Sequence, residues 1–330
     1  MTPDDSTPPP SVSTSADPEV RALRIRTPED LVALAPLVLG FVPQRSAVLI
    51  SLGPAGGIHA RVDLPPDPDD ADDVVQALLR PALRNQVGEV VVLVYDDDTT
   101  VADEVAWALH EELPAAGVAV REVLRVHDDR WFAVLPGHPL THYRGVRFSR
   151  STHPFTAEAV LAGRVTHPTR EALRAATVEP DQRRVAEVRS ALSAARPLPP
   201  SAVQSLVVDR VGAGAPFTED ELAALGVSLG DGEVRDRAWV WLTREQAPAA
   251  VEVWSDAVRR LPDSHVAGAA AVLGFAAWLA GDGALSWCAL DRCRAADPEH
   301  SLARLVADLL ESATSPGEWD VLRPGLGPAA

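Results

Sequence analysis

The chain has 330 residues, enough for two modest domains that each bury a core. At 46% apolar and 23% charged residues it has the composition of an ordinary globular protein. Its net charge of −17 repels the phosphates of nucleic acids and of anionic membranes, which argues against general binding to either. All 30 basic residues are Arg, as a high-GC coding bias would produce, and with no Lys there is neither a Schiff-base lysine nor a phosphate-loop lysine.

Residues 1–22 are rich in Pro, Ser, Thr and Asp and lack a basic or apolar segment, the composition of a disordered tail and not of a signal peptide. Thr27-Pro28-Glu29-Asp30 is a helix start: a hydroxyl cap, Pro in the first turn, then acids on the helix dipole. Leu31, Leu34, Ala35 and Val38 recur at helical spacing until Gly40 ends the run. Ser46 to Leu52 and Ile58 to Leu64, separated by the turn material Gly53-Pro54-Ala55-Gly56-Gly57, predict a β-hairpin. Asp69, Asp70, Asp72 and Asp73 then open an amphipathic helix carrying Val74, Val75, Leu78, Leu79 and Leu83.

Val90-Val91-Val92-Leu93-Val94-Tyr95 is the β-branched run of a strand buried on both faces. Val101, Val105, Ala108, Leu109 and Leu113 share one face of a further helix. Val118 to Val126 reads as a strand that Asp128-Asp129 turns into a partner from Arg130 to Leu135. The predicted class is α/β, a mixed, mostly parallel sheet with flanking helices over residues 23–155, followed by an all-α helical-hairpin domain over 156–330. Strand–helix–strand crossovers force strands 58–64, 90–95 and 118–126 parallel, with right-handed connections.

Open α/β sheets bind ligands at the carboxyl edge of their parallel strands. Asp63, Tyr95 with Asp96, and Arg125 end those strands. Arg45-Ser46 and Arg130-Trp131 begin antiparallel neighbours, so both fall on the same rim. Arg45, Ser46, Asp63, Asp96, Arg125, Arg130 and Trp131 are therefore the candidate ligand-binding residues. Arg125 and Arg130 could grip a phosphate or carboxylate, or pair with Asp128 and Asp129 on their own turn. Arg61 and Asp63 share a strand face and suit an ion pair. Asp96 and Asp98 could hold Mg²⁺, a hard cation suited to carboxylates, or cap the following helix. His127, His138, His142 and His153 cluster in sequence, but Pro139 spoils the helical presentation of His138 and His142 that a metal would need.

Pro36-Leu37-Val38-Leu39-Gly40-Phe41-Val42-Pro43-Gln44-Arg45-Ser46, Arg61-Val62-Asp63-Leu64-Pro65 and Arg125-Val126-His127-Asp128-Asp129-Arg130-Trp131 occur in this order. With Gly281-Asp282-Gly283-Ala284 and Ala295-Ala296-Asp297-Pro298 they resemble one bacterial family, domain-of-unknown-function family 4192. The resemblance implies no activity. Family members often carry cysteines shortly after the Arg-Trp motif, where this chain has Phe132-Ala133-Val134-Leu135-Pro136-Gly137, so any metal or redox role of those cysteines does not carry over.

From Thr156 onward no strand is predicted. Thr218-Glu219-Asp220-Glu221 is a capping box. Ala250, Trp254, Ala257 and Pro262 are matched 36 residues later by Ser286, Leu290, Cys293 and Pro298, with Gly274 twelve before the second set. Over residues 234–312 this resembles the tetratricopeptide pattern, with a generic helical bundle as the alternative. Val266 to Ala280, 15 residues, is too short to span a bilayer and fits a buried helix. Cys288 and Cys293, about 140° apart around one helix, can neither bridge nor share a metal and suit a reduced cytoplasmic protein.

Two functions follow as expectations. One is binding of a small anionic, nucleotide-like ligand at the sheet rim; whether any chemistry accompanies it is open. The other is a non-catalytic adaptor that holds a protein partner through residues 201–330.

Overall fold

The computed structural model describes residues 25–52 and 58–323. The predicted tail and the Gly53–Gly57 turn lie outside the described residues. In chain order come α1 (Pro28–Leu39), the strands β1 (Ser46–Leu52) and β2 (His59–Asp63), α2 (Ala71–Arg84), β3 (Glu89–Tyr95), α3 (Thr99–Ala115), β4 (Ala119–His127) and β5 (Arg130–Ala133). A short helix α4 (Leu140–Tyr143) and strand β6 (Val146–Arg147) complete the sheet region.

Helices follow over the rest of the described residues: α5 (Pro154–Leu161), α6 (Arg170–Thr177), α7 (Gln182–Leu192), α8 (Pro200–Ala213), α9 (Glu219–Ser228), α10 (Gly232–Asp236), α11 (Ala247–Arg260), α12 (Ala267–Leu279), α13 (Gly283–Ala296), α14 (Ser301–Glu311) and α15 (Gly317–Leu322). The predicted α/β class with a helical second half is what the chain adopts.

The six strands are ordered β2-β1-β3-β4-β5-β6. β2, β3, β4 and β6 run one way and β1 and β5 the other, so the expected common direction of the three crossover strands holds. Only β3 and β4 are parallel neighbours, however, because β1 lies between β2 and β3 and pairs antiparallel with both.

Each sheet face has its own core. Ala47, Leu49, Val90, Val92, Val94 and Val123 pack under α2 and α3. Val48, Ile50, Val91, Leu93, Tyr95, Leu124, Val126 and Trp131 pack under α1, and that core continues without a break into the helical half. Burial on both faces is what the unbroken β-branched run of β3 requires.

α1 begins with the predicted cap. The Thr27 side chain accepts from the Asp30 N–H while the Asp30 carboxylate accepts from the Thr27 N–H. It ends at Gly40, whose φ of 74° is left-handed, a conformation that glycine adopts without steric cost. Beyond Gly40, Phe41 and His167 form an isolated parallel bridge that fastens the sheet region to the helices, with Val42 N–H donating to the His167 carbonyl at 3.0 Å.

In the helical half, Ala250, Trp254 and Ala257 of α11 and Ser286, Leu290 and Cys293 of α13 are all buried, and α12 packs between the two helices. The 36-residue offset thus marks equivalent inward positions on two helices. α12 is enclosed along its whole length from Gly268 to Leu279, as its apolar sequence demands. No helix among the described residues is long and apolar enough to cross a membrane.

Two predictions arise here. A Cβ added at Gly268 would stand 2.7 Å from the Leu229 carbonyl oxygen, a backbone atom that cannot rotate aside. Gly268→Ala should therefore lose about 1–3 kcal/mol in urea unfolding through overpacking; an unchanged midpoint would contradict this close approach.

Asp282 caps α13 by accepting from Leu285 N–H at 2.9 Å, and burial raises its pKa. A carboxyl group whose folded pKa is raised stabilises in its protonated form, and that contribution is lost as pH rises through the folded value. Asp282→Asn keeps the cap acceptor and removes the buried charge. Its thermal midpoint should exceed that of the wild type at about pH 7 and converge with it at about pH 3. A lower midpoint at neutral pH would show that the charge itself is needed.

Candidate functional site

The ladders align the predicted rim residue by residue. Ser46 pairs with Asp63 on one side and Tyr95 on the other; Tyr95 lies beside Val126, and Val126 beside Trp131. The rim divides into three places with different chemistry.

Its centre is acidic and largely closed. Asp98 caps α3, its carboxylate accepting from Thr100 N–H at 2.9 Å and Val101 N–H at 3.4 Å. The helix end where an open α/β sheet would hold a phosphate is thus filled by the protein's own carboxylate. Asp96 is buried, with one oxygen accepting from Asp98 N–H at 3.2 Å and the other 3.8 Å from Arg45 Nε. Capping accounts for Asp98, whereas Asp96 closes the turn before the helix and keeps its second, buried oxygen without a hydrogen-bond partner among the described residues. No group of three His, Cys, Asp or Glu side chains among the described residues is arranged to hold a metal. Arg45 has a left-handed φ of 41° and a largely exposed side chain, and its carbonyl accepts from Leu64 N–H at 2.8 Å.

Ser46 and Tyr95 face α1. Both are buried, and neither hydroxyl has a hydrogen-bond partner among the described residues. Burial pushes the Tyr95 phenol well above its ordinary pKa, with Arg150 opposing the shift. Trp131 is buried in the same core two strands from Tyr95, donating from Nε1 to Glu29 Oε1 at 3.0 Å with His142 edge-on to its ring at 4.7 Å. His153 Nε2 lies 3.2 Å from Asp30 Oδ1, which ties the segment before α5 to the start of α1. Glu29 and Asp30, legible in the sequence only as helix-start acids, thus anchor the residues that roof the rim.

The β4–β5 end does not gather its arginines around a ligand. Arg125 faces α3, 3.5 Å from Asp103, with its guanidinium 4.1 Å from the centre of the Phe132 ring. Arg130 donates to the Gly145 carbonyl at 2.8 Å. Neither pairs with the turn acids, since Asp128 meets His127 at 3.2 Å and Asp129 lies 3.8 Å from Arg147. His138 lies 3.3 Å from Glu122, and its ring centre is 5.7 Å from that of His142.

The β2 corner is open. A cleft of about 690 Å³ runs between β2, α2 and the helices α12 to α14, within the size range of small-molecule pockets. Arg61 and Asp63 are ion-paired there, and the Arg61 guanidinium lies 5.5 Å from the centre of the Phe41 ring. Arg80 of α2 and Arg170 of α6 also line the cleft, with Trp278 and Trp287 as apolar walls. Arg61 and Arg170 both help lower the pKa of Glu171, after the hydrogen bonds from its own backbone and from Thr169, so the two cations act on one region. The floor is pinned: Trp278 Nε1 donates to the Thr314 carbonyl at 3.1 Å, Asn85 Nδ2 to the Ala313 carbonyl at 2.9 Å, and Arg84 Nη2 to Thr314 Oγ1 at 3.3 Å.

Of the seven candidates, the structure brings Arg45 within 3.8 Å of Asp96, sets Ser46 across the ladder from Asp63, and holds Trp131 three strands from Ser46. Asp63 lies in the cleft, and Arg125 and Arg130 stand apart. Arg80, Arg170 and Trp287 carry no local sequence signal. Gly281, Gly283 and Ala284 from the second half do line the cleft, alongside Phe41 and Arg61.

A buried hydroxyl with no partner costs about 1–3 kcal/mol. Ser46→Ala should accordingly leave thermal stability unchanged or raise it. A loss above about 1 kcal/mol would mean that the hydroxyl is hydrogen-bonded in the folded protein.

No curated protein and no solved structure matches the chain. A family model described as Domain of unknown function (DUF4192) matches residues 28–317, the sheet and the helices through α14 alike, and the chain belongs to that family.

Proposed function

We propose that the protein binds a small anionic ligand in the cleft at the β2 corner of the sheet rim. The observation carrying this reading is the gathering of Arg61, Arg80 and Arg170 with Phe41, Trp278 and Trp287 around one open volume, in a chain whose net charge is −17. Guanidinium groups grip phosphates and carboxylates, and partial enclosure by apolar walls strengthens each such contact. The rim centre supports an anion less well, because Asp96, Asp97 and Asp98 crowd it and Asp98 already fills the α3 end.

Adaptor binding through residues 201–330 has weaker support. The helices there bury Trp254, Phe275 and Leu290, and the large apolar side chains they leave exposed, Val208, Leu305, Val321 and Leu322, are scattered over α8, α14 and α15.

Isothermal titration calorimetry with pyrophosphate, AMP and ATP, each with and without Mg²⁺, tests the reading. We expect binding by at least one of these. An Arg80→Ala/Arg170→Ala double variant should weaken it at least tenfold, since charge-assisted hydrogen bonds contribute about 1.5–3 kcal/mol each. Arg125→Ala, on β4 three strands away from β2, should change affinity less than about twofold. Absence of binding by all three compounds, or equal binding by the double variant, would overturn the reading.

A further inference from the structure

β2 is the outermost strand of the sheet, and the cleft lies along its open edge. Successive strand residues point to opposite faces. All of Ile58 to Asp63 nevertheless line the one cleft, which is only satisfied where the cleft follows the edge itself.

The hydrogen-bond phase of the hairpin then says which backbone groups face it. Ser51 N–H donates to the Ile58 carbonyl at 3.1 Å, and Leu64 N–H to the Arg45 carbonyl at 2.8 Å. Hydrogen-bonded pairs alternate along an antiparallel ladder. Residues 58, 60, 62 and 64 therefore direct their N–H and C=O groups at β1, and His59, Arg61 and Asp63 direct theirs outward. Among the described residues these six outward groups have no hydrogen-bond partner. Arg61 adds a buried Nε with no partner.

We infer that the cleft takes an extended peptide bearing acidic side chains, which adds to β2 as a seventh strand. The inference rests on the anion-binding reading, since the same guanidinium groups supply the charge. A strand at β-ladder spacing, about 4.8 Å out from β2, would meet the three outward N–H and three outward C=O groups. Its alternate side chains would then face two walls. One carries Arg80 on α2; the other carries Arg61 over Phe41, with Arg170 and Trp287. Three Arg against Asp63 and Glu311 leave the lining net positive, with Arg170 also 3.5 Å from Asp291 outside it, which selects acidic over basic side chains.

The test uses the wild-type full chain and fluorescence anisotropy. The probe is a fluorescein-labelled pool of seven-residue peptides with glutamate at alternate positions, compared with a pool carrying lysine there. The glutamate pool should bind at least tenfold more tightly. Methylating the backbone nitrogens of one alternate set of peptide residues should weaken binding at least tenfold more than methylating the other, because only one set faces β2. Amide hydrogen exchange at His59, Arg61 and Asp63 should slow in the complex. Equal effects of the two methylated sets, or no slowing at those amides, would overturn strand addition. Binding of pyrophosphate without binding of the glutamate pool would overturn the peptide inference and leave the anion site standing. Absence of binding by the glutamate pool and by pyrophosphate, AMP and ATP alike would overturn both.

Discussion

The pairing of β1 with two antiparallel partners at once is the constraint on which the rest of the molecule depends. Once β1 occupies the place beside β3, β2 can only join from outside and becomes the sheet's edge. The crossover α2 then has to start at that edge and return over one face to reach β3, which stands α2 beside β2 and sets one wall of the cleft. The same pairing puts the start of β1 level with the ends of β2 and β3, so a single register line fixes the rim and the corner together. A one-residue slip in β1 would turn Val48 and Ile50 out of one core and Ala47 and Leu49 out of the other, so burial on both faces holds the register strongly.

Charge is distributed in a way that the overall acidity hides. Asp96, Asp97, Asp98, Glu29 and Asp30 concentrate at the rim centre, where most of them have structural partners in caps, the Trp131 indole or His153. Arg125 and Arg130, which look available in the sequence, are held by Asp103, Phe132 and the Gly145 carbonyl. The cleft is the place where cations outnumber acids beside an open volume. An acidic protein can thus attract an anion locally while remaining repellent to nucleic acid as a whole.

Much of this architecture is legible in the chain because its signals are local. The Thr27–Asp30 cap, the β-branched run of β3 and the apolar length of α12 each carry their own physical reason within a few residues. The level of the rim was also readable, because strand direction follows from crossover connectivity. Which face Arg125 takes was not. In the Arg121–His127 stretch polar and apolar residues alternate imperfectly, and the register shift between Val90 and Val91 resets the phase against β3. The cleft escaped for a different reason: Arg61, Arg80, Arg170 and Trp287 come from four separate elements, and only their packing brings them together.

The contacts beneath the cleft link α2 to the loop after α14, so Arg84 and Asn85 hold Thr314 and Ala313 across some 230 residues of chain. Together with the Phe41–His167 bridge they close the polypeptide into a ring around the cleft. A ring of this kind has no dispensable half: the sheet region alone would lose a wall, and the helices alone would lose the strand edge. The family match likewise runs unbroken from α1 to just past that loop, over residues 28–317.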